Sequence, residues 1–90
     1  MILATTQFAD WDQFWSVFST AGAEKRAEHG CKGALVFRDE TASDRVWVAF
    51  DWDDDGWQSF VSDPTVPAVM KDAGHTSRPQ SIGLAASCPA

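Results

Sequence analysis

The sequence predicts an α+β fold in the order β-α-β-β-α-β, and three observations predict it. Trp11, Phe14, Trp15, Phe18 and Ala21 recur at helical spacing after a short β-branched segment. Two apolar stretches, "CKGALVFR" (31–38) and "RVWVAFDW" (45–52), flank the polar turn "DETASD" (39–44), the pattern of a hairpin. An acid-led helical stretch broken by prolines then precedes a short closing strand. With right-handed connections, that order places two helices on one face of a four-stranded antiparallel sheet, a ferredoxin-like arrangement of one domain over 1–90.

Each element has a local reason. "ILATTQF" (2–8) is β-branched and apolar and reads as the first strand. Asp10 is placed to cap the first helix, with Gln13 three residues on as in a capping box. That helix is expected to run to about Glu28, with Gly22 weakening its middle and Gly30 supplying the left-handed conformation that ends it. In the third strand, alternation puts Val46, Val48, Phe50 and Trp52 on one face and Trp47, Ala49 and Asp51 on the other, so both faces are expected to be at least partly buried. If Arg38 pairs with Arg45 across the turn, Cys31 pairs with Trp52 at the far end. "DDDGWQSFV" (53–61) offers acidic caps ahead of Trp57 and Phe60, and Asp63 is placed to restart the helix after Pro64 and Pro67 interrupt it, ending near Gly74. "QSIGLAA" (80–86) closes the chain as a strand, and the small-residue tail frays. A sheet covered by helices on one side leaves the other side apolar and bare, which predicts a homodimer with two sheets packed face to face.

Composition narrows the function. A net charge of −6 with only seven basic residues, none in a run, argues against nucleic acid and against anionic membranes. No apolar run is long enough to span a bilayer and no leader pattern opens the chain, so a cytoplasmic protein is expected. Cys31 and Cys88 lack paired spacing and read as free thiols.

His75 and Arg78 lie together in "MKDAGHTSRPQ" (70–80), beyond the last helix. His75 has the right ordinary pKa for a general base near neutrality, and Arg78 the right donors for a carbonyl, carboxylate or enolate. The same residues also suit a plain polar connection, His75 as a loop or capping residue and Arg78 paired to a carboxylate. His29 ends the first helix, where it is either a base beside Trp52 or a cation stabilising the helix dipole. The topology puts the two histidines at opposite ends of the sheet, and no metal-ligand spacing occurs, so no metal is expected. The acidic run around Asp53 is placed to cap a helix, and Cys31 fits a buried thiol better than a nucleophile. Five Trp and six Phe mainly pack a core, but eleven rings are also enough to line a pocket for a flat ligand, with Phe50, Trp57, Phe60 and Trp15 as candidate walls.

"GCKGALVFRDETASDRVWVAFDWDD" (30–54), "WQSFVSDPTVP" (57–67) and "AGHTSRPQSI" (73–82) resemble the hairpin, second helix and closing segment of the dimeric α/β-barrel superfamily, and within it the antibiotic-biosynthesis-monooxygenase type. The resemblance implies a pocket between sheet and helices in which aromatic or polyketide-like substrates are oxygenated without metal, haem or flavin. It implies Trp52 as a pocket residue. The same fold hosts isomerases, cyclases, haem-degrading enzymes and sensing modules. Haem binding is not expected, because the region of the haem-ligating histidine holds Val61, Ser62 and Asp63, and the chain has neither the first-strand Asn of that branch nor any Tyr.

The expectation is a cofactor-independent monooxygenase-like enzyme acting on a hydrophobic aromatic or polyketide-type molecule. His75 or His29 would take a proton, Arg78 or an indole N–H would steady the anion, and O₂ would react with the substrate. The alternatives are an isomerase or cyclase using the same base without O₂, and a non-catalytic dimer that binds a small molecule.

Overall fold

A computed structural model describes all 90 residues. Strand β1 (Ile2–Gln7) leads into helix α1 (Trp11–Val17), a π-helical turn (Phe18–Gly22) and helix α2 (Ala23–Glu28). Strands β2 (Ala34–Arg38) and β3 (Arg45–Phe50) follow, then helices α3 (Asp54–Val61) and α4 (Val66–Asp72), and strand β4 (Gln80–Gly83). The sheet has the order β2-β3-β1-β4 with every pair antiparallel, which is the ferredoxin-like topology.

Caps fall largely where the sequence places them. Asp10 Oδ2 accepts from Gln13 N–H at 2.9 Å, but the Gln13 side chain does not reach back as in a full capping box; its Nε2 donates to Asp72 O at 2.9 Å and ties α1 to α4. Asp53 caps α3 through Gly56 N–H at 2.6 Å. Thr65, not Asp63, stands at the start of α4, because the Asp63 carboxylate is taken by the backbone N–H and hydroxyl of Thr65 at 2.8 and 2.7 Å. Gly30, at φ 86°, closes α2 with its N–H on Ala27 O. The break near Gly22 is the π-helical turn, so the long first helix is continuous but underwound at its centre.

One register expectation is corrected. Arg38 pairs with Val46, and Asp39 N–H donates to Arg45 O at 3.2 Å, so Arg38 does not face Arg45 and Cys31 does not face Trp52. The turn is one residue shorter than expected, held by Asp39 Oδ1 accepting from Thr41 N–H and Ala42 N–H at 2.8 and 3.0 Å. A shift of one residue reverses the faces of a whole strand. Val36 and Ala34 therefore turn toward the helices, and Leu35 and Phe37 turn away.

The helices cover one face, over a core of Ile2, Ala4, Phe8, Phe14, Val46, Val48, Phe50, Trp52, Trp57, Phe60, Val66 and Ala73. Phe14 is 1% exposed and touches the rings of Phe8, Trp11 and Phe18, so truncating it to Ala costs about 3–5 kcal/mol. The opposite face of β3 is not buried within one chain: Leu3, Leu35, Phe37, Trp47 and Ile82 all lie exposed there. No helix is long and apolar enough to cross a membrane.

Candidate functional site

Between the helices and the sheet lies a cavity of about 60 Å³, walled by Phe14, Val48, Phe50, Trp57, Phe60 and Met70 among others. Its polar side chains are few. Thr5, Thr6, His75 and Arg26 reach its lining, and no carboxylate does.

His75 is fixed by the strand it leaves. The chain from Gly74 to Ser77 runs against the end of β1: Ala9 N–H donates to Gly74 O at 3.0 Å, Thr76 N–H to Gln7 O at 3.0 Å, and His75 bridges Phe8. Gly74 makes this entry possible with φ 76°. The imidazole packs beside Phe14, 5.7 Å between centroids, and its Nδ1 lies 3.2 Å from Thr6 Oγ1. Thr6 Oγ1 in turn donates to Ser77 O at 3.1 Å. A carbonyl oxygen only accepts, so the hydroxyl proton belongs to Ser77 O, and His75 Nδ1 must carry its own proton to donate to Thr6. This assigns the Nδ1–H tautomer and leaves Nε2 unprotonated. Burial lowers the pKa of His75 below its ordinary value by penalising the charged ring, so the neutral form prevails at neutral pH.

Arg26 is the residue the sequence reading missed. Its guanidinium sits 3.8 Å over the Phe18 ring and 5.6 Å from Phe50, and Nη2 donates to Phe18 O at 2.7 Å. The residue is only 8% exposed and forms no ion pair. Desolvation lowers its pKa to about 10 against a smaller opposing effect of Cys31, so it stays charged at neutrality. The spacing held only part of the signal. Phe14, Phe18, Gly22 and Arg26 form one row at intervals of four, a charge at the end of an apolar stripe.

Outside Arg26 and Phe18 opens a second space, a groove of about 320 Å³ between the first helical segment and β2. Trp15, Ala34 and Val36 give it apolar walls, and Cys31, Lys32 and Ser19 give it polar ones. Phe18 and Arg26 line both spaces and so form the partition between them.

The remaining candidates divide. Phe50, Trp57 and Phe60 line the inner cavity, and Trp15 lines the groove. Trp52 is 3% exposed and packs against Phe50, Trp57 and Phe60 without lining either space; its Nε1–H donates to His29 O at 2.8 Å. His29 comes near Trp52 as expected, but through its carbonyl. Its ring is held by Ser59 Oγ at 2.7 Å and Asp63 Oδ2 at 2.8 Å, joining α2 to the α3–α4 region and away from the cavity lining. Asp63 is held below the usual carboxylate range by the Thr65 hydroxyl first and His29 second. Glu28, His29 and Asp63 bring donor atoms within 4.8 Å of one another, but Lys25 Nζ already stands 3.1 Å from Glu28 and 3.9 Å from Asp63. Arg78 is exposed and lines neither space. The two histidines occupy opposite ends of the sheet, His75 beyond the Gln7–Arg45 pair and His29 O against Trp52, beyond the Ile2–Phe50 pair.

No family model matches the sequence, and no curated protein matches it. Solved structures do. SnoaB, a cofactor-independent oxygenase from Streptomyces nogalater, superposes with a TM-score of 0.67 at 19% identity, over 99% of this chain and 94% of that one. A putative antibiotic biosynthesis monooxygenase from Deinococcus radiodurans gives 0.66 at 15% identity, over 100% and 98%. Another from Caulobacter crescentus CB15 gives 0.67 at 18% identity, over 96% and 87%. At these identities the likeness is one of fold, and it extends from end to end: the chain has the ferredoxin-like fold of the antibiotic-biosynthesis-monooxygenase-type proteins.

Proposed function

We propose that this protein is a cofactor-independent monooxygenase acting on a hydrophobic aromatic or polyketide-type molecule, with His75 as its base. The observation that carries the reading is the neutral His75, its proton committed to Thr6 through Nδ1, in the lining of an aromatic-walled cavity. The likeness to oxygenases of the same fold adds support. An anthrone-like substrate has an activated CH₂ flanked by rings. Nε2 takes one of its protons, and the resulting carbanion delivers electrons to O₂ with formation of a C–O bond. The peroxide takes the proton back from His75; loss of the second C–H proton and of hydroxide then leaves a C=O and one water. One CH₂ and one O₂ become one C=O and one H₂O, so the substrate supplies every electron.

The inner cavity of about 60 Å³ takes only the reacting end of such a molecule, and the rest passes Phe18 into the groove. Arg78 has no part in this scheme, since it stands outside both spaces. The test is O₂ uptake with anthrone, wild type against His75→Gln. The expected result is stoichiometric O₂ consumption by the wild type, slowed about 10²–10⁴-fold in the variant. Proton exchange at the CH₂ without O₂ uptake would instead favour an isomerase or cyclase using the same base. Binding without either would leave a small-molecule-binding protein.

A further inference from the structure

Arg26 is a cation with no carboxylate partner, and the Cys31 sulfur offsets only a lesser part of the cost of its burial. Thirteen acidic residues occur in the chain, yet none lines the inner cavity or the groove, and none pairs with this guanidinium. A buried charge without a partner is costly, and the contacts to Phe18 return only part of that cost. The chain nevertheless shapes itself around the group. Gly22 lies so close that a Cβ there would come 3.0 Å from Arg26 Nη1, and the π-helical turn brings the Phe18 carbonyl and ring to the same guanidinium. No buried side-chain nitrogen is left unpartnered, so the guanidinium donors not given to Phe18 O keep some exposure, at a residue that lines both spaces. Lys32 adds a second cation to the groove, and Trp15 and Phe18 add flat apolar walls.

We propose that Arg26 binds an anionic oxygen of the ligand, and that the protein selects aromatic molecules bearing a carboxylate or an acidic phenol over their neutral analogues. The charged oxygen sits at the partition formed by Arg26 and Phe18, with Lys32 contributing long-range attraction from the groove. Arg26 is thus a specificity-determining residue, distinct from the base at His75. The proposal rests on the reading of the cavity as an aromatic-ligand site, and it adds the charge that the ligand must carry.

Calorimetric titration with 2-naphthoate and the isosteric, neutral 2-naphthamide tests it. Wild type is expected to bind the naphthoate about tenfold or more tightly than the amide, as a charge-assisted hydrogen bond requires. Arg26→Met keeps an apolar stem over Phe18 and is expected to reduce that preference to about twofold or less, while Lys32→Met reduces it about two- to threefold. Arg26→Lys, which keeps charge but not the fork, retains a partial preference. If Arg26→Met fails to fold, the wild-type pair and the exposed Lys32→Met still decide. Equal affinity for the two probes, or a preference that survives Arg26→Met, overturns the anion site; with O₂ uptake still dependent on His75, the enzymatic reading stands without it. Binding of neither probe overturns both.

Discussion

His75 donates through Nδ1 to Thr6 and is kept neutral by burial, so its protonation weighs on stability in a defined pH window. Its folded pKa lies below the unfolded value of about 6.5. The stabilisation is therefore complete above that value and is lost as pH falls through the lowered native one. Asp39 and Asp63 are also held low, Asp39 by the Trp47 indole first and Asp63 by the Thr65 hydroxyl first, but their share is lost only below the ordinary carboxylate range near pH 4. Thermal melts followed by circular dichroism are expected to show a fall in Tm between pH 7.5 and 5.5, and His75→Gln is expected to lack that part of the slope. An identical slope in the variant would mean another group titrates there. His29 is bound on both ring nitrogens to Ser59 and Asp63, so His29→Ala is expected to cost about 1–3 kcal/mol in denaturant unfolding and to leave aromatic-ligand affinity intact. The two histidines are alike in sequence. What separates them is which neighbours the tertiary structure brings to each ring.

At the scale of elements, the π-helical turn explains why Arg26 reaches the cavity. In a regular α-helix residue 26 would stand about 120° around the axis from residue 14, because twelve residues exceed three turns by a third. Underwinding over Phe18–Gly22 reduces that drift and keeps the row of Phe14, Phe18, Gly22 and Arg26 directed inward. Gly22→Ala puts a Cβ 3.0 Å from Arg26 Nη1 and 3.1 Å from Val17 O, so it is expected to displace the guanidinium and to destabilise by about 1–3 kcal/mol. Urea unfolding reads the cost, and loss of the naphthoate preference reads the displacement. Gly56 meets a harder limit at the start of α3, where a Cβ would run into Trp52 Nε1 and stand 2.7 Å from His29 O. Gly56→Ala must break the bond from Trp52 to His29 O, and it is expected to cost more than Gly22→Ala in the same urea series. Gly22 was legible as a weak point of a helix. That the weakness makes room for a cation was not, because the spacing of one segment carries no record of the strands beneath it.

For the whole molecule, the bare sheet face is the dominant unfinished surface. Leu3, Leu35, Phe37, Trp47 and Ile82 share it, exposed by between 37% and 67%, an apolar patch of the kind that a second copy of the chain would cover. A dimer through this face is expected in sedimentation equilibrium, and Leu35→Glu is expected to shift it to monomer with little change in secondary structure; a wild type that sediments as a monomer would refute it. Element order, the antiparallel hairpin, the cap at Asp10, the end of the second helical segment at Gly30 and the bare face were legible in the residues alone, because periodicity and capping are local. The hairpin register was not legible in that way although bonds within the turn set it, Asp39 to Thr41 and Ala42, because flanking apolar runs do not fix where a turn closes, and a one-residue shift exchanges the faces of β2. Tertiary packing put His75 in the cavity lining and tied the His29 ring outside it, left Arg78 outside, and brought Arg26 between two spaces free of carboxylates. Burial and counter-charge are properties of what folds against a residue, and those neighbours lie far along the chain.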